Sequence, residues 1–161
     1  MIEGPYFVLV VLGALWCGIA AGVFVAFSTL VMRGLGALPA ARGIAAMNSI
    51  NAAATTPAFM VVFMGAALLC TVIAVVTFVL WPDPGTVALL LGCALYLAGS
   101  FGVTIVANIP RNDALARLAG DEDSESSAAY WRRYLSEWTL WNHVRGGAAL
   151  AASAAFVLAL T

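Results

Sequence analysis

The sequence predicts an all-α protein, a transmembrane antiparallel four-helix bundle, and three observations carry that prediction. First, 63% of the 161 residues are hydrophobic and only 9% are charged, with a mean hydropathy of +1.00. Soluble domains carry about 25% charged residues. Second, the charges leave four long gaps: Glu3 to Arg33, Arg42 to Asp83, Asp83 to Arg111, and Gly146 to the end. An apolar helix of roughly 20 residues crosses the ~30 Å hydrocarbon core. Third, all seven basic residues are arginines. Arg33 and Arg42 lie between the first two gaps, and Arg111, Arg117, Arg132, Arg133 and Arg145 lie between the third and fourth or at the edge of the fourth. This one-sided placement is the positive-inside pattern. It predicts an integral protein of the cell membrane, with both termini extracytoplasmic and the two long connections cytoplasmic.

The four spans are expected at about 6–32, 57–81, 86–107 and 138–160, within a single integral membrane domain covering 1–161. A signal-peptide reading of the first span is disfavoured, because Met-Ile-Glu-Gly lacks a basic leader and the apolar run is too long. Pro57 suits the first turn of the second span, where its missing N–H would be unpaired anyway. Trp81-Pro-Asp-Pro-Gly85 reads as a tight turn joining spans two and three into a hairpin. Residues 33–56 read as a short surface helix running into span two, and the acidic, Ser-rich 119–127 as a solvated loop. Ser126 or Ser127 is then the expected cap of a helix leading into span four. Gly18, Gly22 and Ala26, and likewise Gly147, Ala151, Ala155 and Ala159, recur every four residues. Small residues at that spacing let helix backbones approach closely, as seams within the bundle or at a homo-oligomer contact.

Several functions are disfavoured by composition. A net charge of −1 offers nothing to neutralise a nucleic-acid backbone, so no nucleic acid is expected as a partner. Cys17, Cys70 and Cys93 sit in separate apolar runs as small hydrophobes and are expected at different depths. A zinc or transition-metal site needs three or four ligands, whereas the chain has one histidine and no paired His or carboxylate motif. No metal or other cofactor is therefore expected.

Polar residues at membrane depth are costly and carry a functional prior. Only 16 residues follow Arg145, about 24 Å of helix against a ~30 Å core. Span four must therefore draw Asn142, His143 and Arg145 into the hydrocarbon edge, unless Arg145 snorkels to the headgroups. Trp131, Tyr134, Trp138, Asn142 and Arg145 follow helical spacing on one face. An aromatic belt explains the Trp and Tyr residues but not the aligned Asn and Arg. His143 falls roughly 140° around from Trp138. The end of span three supplies Asn108, Pro110, Asn112 and Asp113. There Pro110 is expected to stop the helix, and Asn112 or Asp113 to cap the next one. Asn51 makes a further polar point just before span two. Asn51, Asn108, Asn112, Asn142, His143 and Arg145 are thus expected to converge beside Trp138.

Asn108-x-Pro110-x-Asn112-x-x-Leu115, then Trp131, Tyr134, Trp138 and Asn142-His143-Val144-Arg145, resembles the signature of the anthrone oxygenase-like family of small four-span membrane proteins. The resemblance extends over essentially the whole chain, and Trp138-x-x-x-Asn142-His143-x-Arg145 is its most distinctive part. It implies a cofactor-independent monooxygenase that oxidises polyketide anthrones to anthraquinones with dioxygen. On that reading His143 is the candidate base, since imidazole exchanges protons near neutral pH. Arg145 with Asn108, Asn112 and Asn142 would stabilise an enolate oxygen. Trp131, Tyr134 and Trp138 would stack on a flat lipophilic substrate, with Asn51 beside it. A second reading is a non-catalytic protein that binds a membrane lipid or a quinone, or an accessory subunit. A transporter or channel is disfavoured, because spans two and three carry no acidic or basic residue that would line a polar path.

Overall fold

The computed structural model describes residues 3–81 and 85–161, and these form helices connected by short turns. Helix α1 is Gly4–Gly36, 33 residues with Pro5 in its first turn and a π-helical turn at Phe27–Val31. Helix α2 is Ala40–Ala53, and a break at 54–56 separates it from α3, Pro57–Leu80. Helix α4 runs Thr86–Ala116 with π-helical stretches at Leu95–Gly102 and Thr104–Asn108. Helix α5 is Glu125–Ala159, 35 residues. The chain leaves α3 at Trp81, in the left-handed region at φ 46°, and enters α4 from Gly85 at φ 124°. The intervening Pro82–Pro84 of the expected tight turn lie outside the described residues.

Among the described residues, three helices are long and apolar enough to cross a membrane, not the four expected: Gly4–Gly36, Pro57–Leu80 and Thr86–Ala116. Helix α5 falls short because Asn142, His143 and Arg145 occupy its middle, followed by glycine and alanine rather than leucine. The outer surface of all the long helices is nonetheless apolar, with Leu15, Leu68, Val106 and Leu158 each more than half exposed. Apolar outer faces of this kind are consistent with an integral membrane protein, because exposed apolar area carries no penalty in lipid.

The contacts fix how the helices are matched. Tyr6, at the start of α1, hydrogen-bonds Thr77 near the end of α3 at 2.6 Å, and Phe24 meets Phe63 near the start of α3. Tyr96 of α4 donates to the Phe63 carbonyl at 3.0 Å, and Ser153 of α5 donates to the Ala14 carbonyl at 2.8 Å. Neighbouring long helices therefore run in opposite directions along their contacts.

Several local expectations are corrected. Pro110 does not stop the helix: Thr104–Asn108 passes directly into Ile109–Ala116. A proline ring clashes with the carbonyl four residues back and lacks an N–H, but the preceding π-helical turns bond to the fifth residue back and widen the backbone there. Asn112 and Asp113 consequently lie inside a helix and cap nothing. Ser124, not Ser126 or Ser127, caps α5, its hydroxyl accepting from the Ser127 N–H at 3.2 Å. The small-residue seam of α5 is rotated to Gly146, Ala149, Ala152 and Ala155, while Gly147 and Ala151 are exposed. In α1, Gly18 faces Ser153, but Gly22 has nothing within contact range. Large partners decide which side is used: Phe24 packs on Gly146, and Phe156 packs on Gly13 and Gly92. The cysteines are not scattered. Cys17 and Cys70 lie 3.7 Å apart, with Cys93 beside Cys70, all buried.

Candidate functional site

The polar residues collect at the arginine-bearing end of the bundle, around a cavity of about 860 Å³. It is walled by the end of α1 (Phe24, Phe27), by α2 (Asn48, Asn51) and by the start of α3 (Phe59, Phe63). Helix α4 adds Thr104, Asn112 and Asp113, and α5 adds Trp138 and Arg145. At the α2–α3 break the run Ala52–Ala54 brings small side chains to the wall between Asn51 and Phe59.

Arg145 dominates the electrostatics. Its side chain is buried at 7% exposure, and no carboxylate among the described residues pairs with it. Its Nε donates to Asn142 Oδ1 at 2.9 Å and its Nη1 to Thr104 Oγ1 at 3.2 Å. The guanidinium carbon lies 4.3 Å from the centre of the Phe24 ring and 5.0 Å from that of Trp138. Two ring faces and two neutral oxygens soften the burial of a cation, but no negative charge balances it. The snorkelling alternative is excluded in this structure, since the side chain turns inward.

Asn142 is fully buried and holds this arrangement to α1, its Nδ2 donating to the Phe24 carbonyl at 2.6 Å and to Ser28 Oγ at 2.7 Å. Ser28 belongs to the π-helical turn of α1, and Thr104 and Asn108 to that of α4. Such turns change which side chains a helix presents inward and recur at functional sites.

A second network orients the aromatic wall. Asn112 Oδ1 accepts from Trp138 Nε1 and from the Tyr134 hydroxyl, each at 2.8 Å. Asn108 Nδ2 donates to the Trp138 carbonyl at 3.3 Å. Trp131 stacks on Tyr134 and Tyr134 on Trp138, with ring centres 5.5 and 6.3 Å apart. Burial pushes the Tyr134 phenol above its usual range. Trp131 and Tyr134 thus support the wall from below, and only Trp138 of the three lines the cavity.

Asn51, Asn112 and Arg145 line the same cavity as Trp138, Asn142 reaches it through Arg145, and Asn108 bonds the Trp138 carbonyl. His143 does not join them. One residue on from Asn142 is 100° further around the helix, and His143 is exposed in a separate surface groove with Arg33. Sequence reasoning also missed three members. Asn48 and Thr104 precede Asn51 and Asn108 by three and four residues, so helical spacing would have placed them on the same faces. Ser28 gave no comparable signal, because hydroxyls in apolar helices ordinarily bond their own backbone.

Several buried polar atoms here have no partner: Asn48 Oδ1, Asn51 Nδ2, Asn108 Oδ1 and Trp131 Nε1. Each such atom costs about 1–3 kcal/mol. Asn48 lines the cavity, where a bound molecule would satisfy its Oδ1, while the Asn51 amide lies against the Tyr134 hydroxyl without ideal geometry. Among the described residues, no group of three or more His, Cys, Asp or Glu side chains is arranged to hold a metal ion.

Residues 59–155, more than half of the chain, match the family model described as anthrone oxygenase. The chain belongs to the anthrone oxygenase family. No curated protein and no solved structure matches it. The matched stretch contains Thr104, Asn108, Asn112, Trp138, Asn142 and Arg145. The opposite wall, with Phe24, Ser28, Asn48 and Asn51, precedes it. The site is therefore built from residues both inside and outside the matched region.

Proposed function

We propose that the chain is a membrane-embedded oxygenase that takes a flat, lipophilic, phenolic aromatic of the anthrone type into the cavity beside Trp138 and oxidises it with dioxygen. The observation that carries this reading is the buried, uncompensated Arg145 guanidinium at the wall of a largely apolar cavity. An anionic oxygen on an aromatic frame is the ligand that such a wall favours. When the acidic ring C–H of an anthrone is lost, the negative charge develops on the opposite carbonyl oxygen. Fixed donors in a dry site stabilise that charge far better than water does.

The overall conversion is balanced without an external reductant. The ring CH2 becomes C=O, giving up four electrons. One atom of dioxygen enters as the new carbonyl and the other leaves as water with the two hydrogens. The protein has to bind the frame, accept the first proton and hold the enolate. Because His143 lies outside the cavity, we assign the proton acceptor to Asp113, the one acidic residue among the described cavity-lining residues.

The same reading takes α5 as a fourth span, giving an antiparallel four-span bundle in the cell membrane with the arginine end cytoplasmic. It is supported by the exposed apolar face Leu140, Val144, Leu150, Val157 and Leu158 and by the one-sided arginines.

The test is oxygen uptake by the purified, chelator-treated protein supplied with a phenolic anthrone. One dioxygen should be consumed per anthraquinone formed, and labelled dioxygen should leave one label in the product. Asp113→Asn should lower turnover by about 10²–10⁴-fold, as removal of a general base does; unchanged turnover would remove Asp113 from that role. The second reading, a quinone- or lipid-binding protein, is favoured by the same cavity. Tight binding of an anthraquinone without any anthrone turnover would select it.

A further inference from the structure

His143 was expected inside the site, and its actual position marks a different one. Between the C-terminal end of α1 and the middle of α5 lies an open groove of about 520 Å³, lined by Arg33, Thr29 and Gly36 on one side and by Ser136, Thr139 and His143 on the other. Arg33 and His143 are exposed, and neither they nor Thr139 make a hydrogen bond or ion pair among the described residues. No acidic residue lines the groove. Arg132 lies one helical turn before Ser136, on the same stripe of α5, and is also exposed without an ion-pair partner. Glu137, the nearest acidic residue in sequence, is engaged elsewhere by Arg111 and Arg133.

The position of the groove is as informative as its charge. Arg33 is the first charged residue after the apolar run that begins beyond Glu3, so it marks where α1 leaves the hydrocarbon. Above it the two helices present exposed Leu30, Val25, Leu140 and Val144. Arg33 and Thr139 near the boundary, with His143 about one turn deeper among these exposed apolar side chains, match a molecule with an anionic head and hydrocarbon tails.

We propose that this groove is a binding site for an anionic phospholipid, whose phosphate is held by Arg33, His143 and Thr139 while its acyl chains lie along α1 and α5. An arginine offers a planar set of donors suited to phosphate oxygens, and the imidazole and hydroxyl each add one. The inference needs only membrane embedding and stands apart from the oxygenase reading.

The experiment is a lipid titration of the full chain in mild detergent, followed by native mass spectrometry. The probes are phosphatidylglycerol, phosphatidylcholine and inorganic phosphate, and thermal unfolding checks that each variant is folded. One phosphatidylglycerol should be retained per chain in preference to phosphatidylcholine. Arg33→Gln should weaken its binding about fivefold, as expected for one cation at a lipid surface, and His143→Gln and Thr139→Val should each weaken it measurably. Phosphatidylcholine binding should not change. Arg117→Gln removes an exposed arginine outside the groove and should leave phosphatidylglycerol binding intact. Equal retention of the two lipids would overturn the proposal. So would an Arg117→Gln loss as large as that of Arg33→Gln, which would mean diffuse attraction rather than a site. Displacement of the lipid by millimolar inorganic phosphate would reassign the groove to the free anion and overturn the lipid assignment.

Discussion

The two ends of the bundle are built to opposite rules. At the end holding the termini, glycine and large side chains interlock. A methyl added at Gly13 would fall 2.5 Å from Ile73 Cδ1, and one at Gly92 would fall 2.8 Å from Phe156 Cε1. Ile73, Cys17, Cys70, Ala149, Ala152 and Phe156 are essentially sealed from solvent there. At the arginine end the same helices separate around a cavity, carry π-helical turns, and leave buried amide atoms without partners. In lipid, helix association rests on close van der Waals packing rather than on the hydrophobic effect. The closed end supplies much of that adhesion, and at the other end a smaller buried cluster of Met32, Ile44, Met47, Leu115 and Trp131 supplies the rest beside the cavity. Stability and binding are divided along the bundle axis, and that division can be broken from either side.

The largest effect is expected at Arg145. Arg145→Gln removes the guanidinium that faces the cavity, and turnover of an anthrone-type substrate should fall by about 10²–10³-fold, the usual loss when one charge-stabilising donor is removed. Thermal stability should change little, because relief from burying an uncompensated charge offsets the lost bonds to Asn142 and Thr104. Arg145→Lys should fail as well, since a point charge cannot reproduce the planar guanidinium contacts with both Asn142 and Thr104. Activity and unfolding measured on the same preparations would check this split. A variant that lost both together would make Arg145 a structural strut.

From the closed end the expectation is reversed. Gly92→Ala pushes a methyl into the Phe156 ring, and overpacking of this kind costs about 1–3 kcal/mol. Gly22→Ala has nothing within contact range, and it should be neutral or stabilising by up to ~1 kcal/mol through helix propensity. Paired unfolding measurements in detergent would show whether the seam lies where Phe156 places it. Equal effects at the two glycines would contradict that assignment.

These cases show what the sequence could and could not reveal. The long apolar helices were legible because a gap in charge is a one-dimensional property. The polar stripe Trp138, Asn142 and Arg145 was legible because helical spacing converts sequence into a face. Facing is a three-dimensional property, and there the reading failed by single positions. The α5 seam uses Gly146 and Ala149 rather than Gly147 and Ala151, since Phe24 of α1 approaches Gly146 and the helix's own Phe156 points from that side into Gly13 and Gly92. His143 sits one residue from the site and about 100° away from it. In the sequence Pro110 reads as a stop, because no residue pattern announces the π-helical turns that absorb it. The cysteines appeared scattered because antiparallel helices bring positions 17, 70 and 93 to one level.

A smaller effect is expected from the orphaned amides. Asn48→Ala removes an oxygen that is buried without a partner, and Asn51→Ala an amide held only by a poorly aligned approach to the Tyr134 hydroxyl. Stability should hold or rise, by at most the ~1–3 kcal/mol that such an atom costs. Affinity for a hydroxylated aromatic should fall by about tenfold if each amide makes one net hydrogen bond of ~1 kcal/mol or slightly more to the ligand. Tryptophan fluorescence quenching by the ligand, with Trp138 at the cavity wall, would read the affinity. If the alanine variants bound a hydroxylated and a non-hydroxylated aromatic in the same ratio as the parent, the amides would have no part in recognition.

The smallest effect is expected at Trp131, where two terms nearly cancel. Its indole lies over Gly43, where an added methyl would fall 2.7 Å from the ring, so the face contact is tight. Trp131→Phe keeps a ring stacked on Tyr134 but leaves the outer part of that space empty, and a residual void carries a cost that grows with its volume. The same change deletes Nε1, a buried donor with no acceptor, which returns about 1–3 kcal/mol. The net shift in unfolding free energy should lie within about 1 kcal/mol of zero, with turnover unchanged because Trp131 does not line the cavity. A large destabilisation would mean that Nε1 has a partner in the membrane-bound protein. Its neighbours on α2 would then be the place to look, because Gly43 of that helix lies directly against the indole.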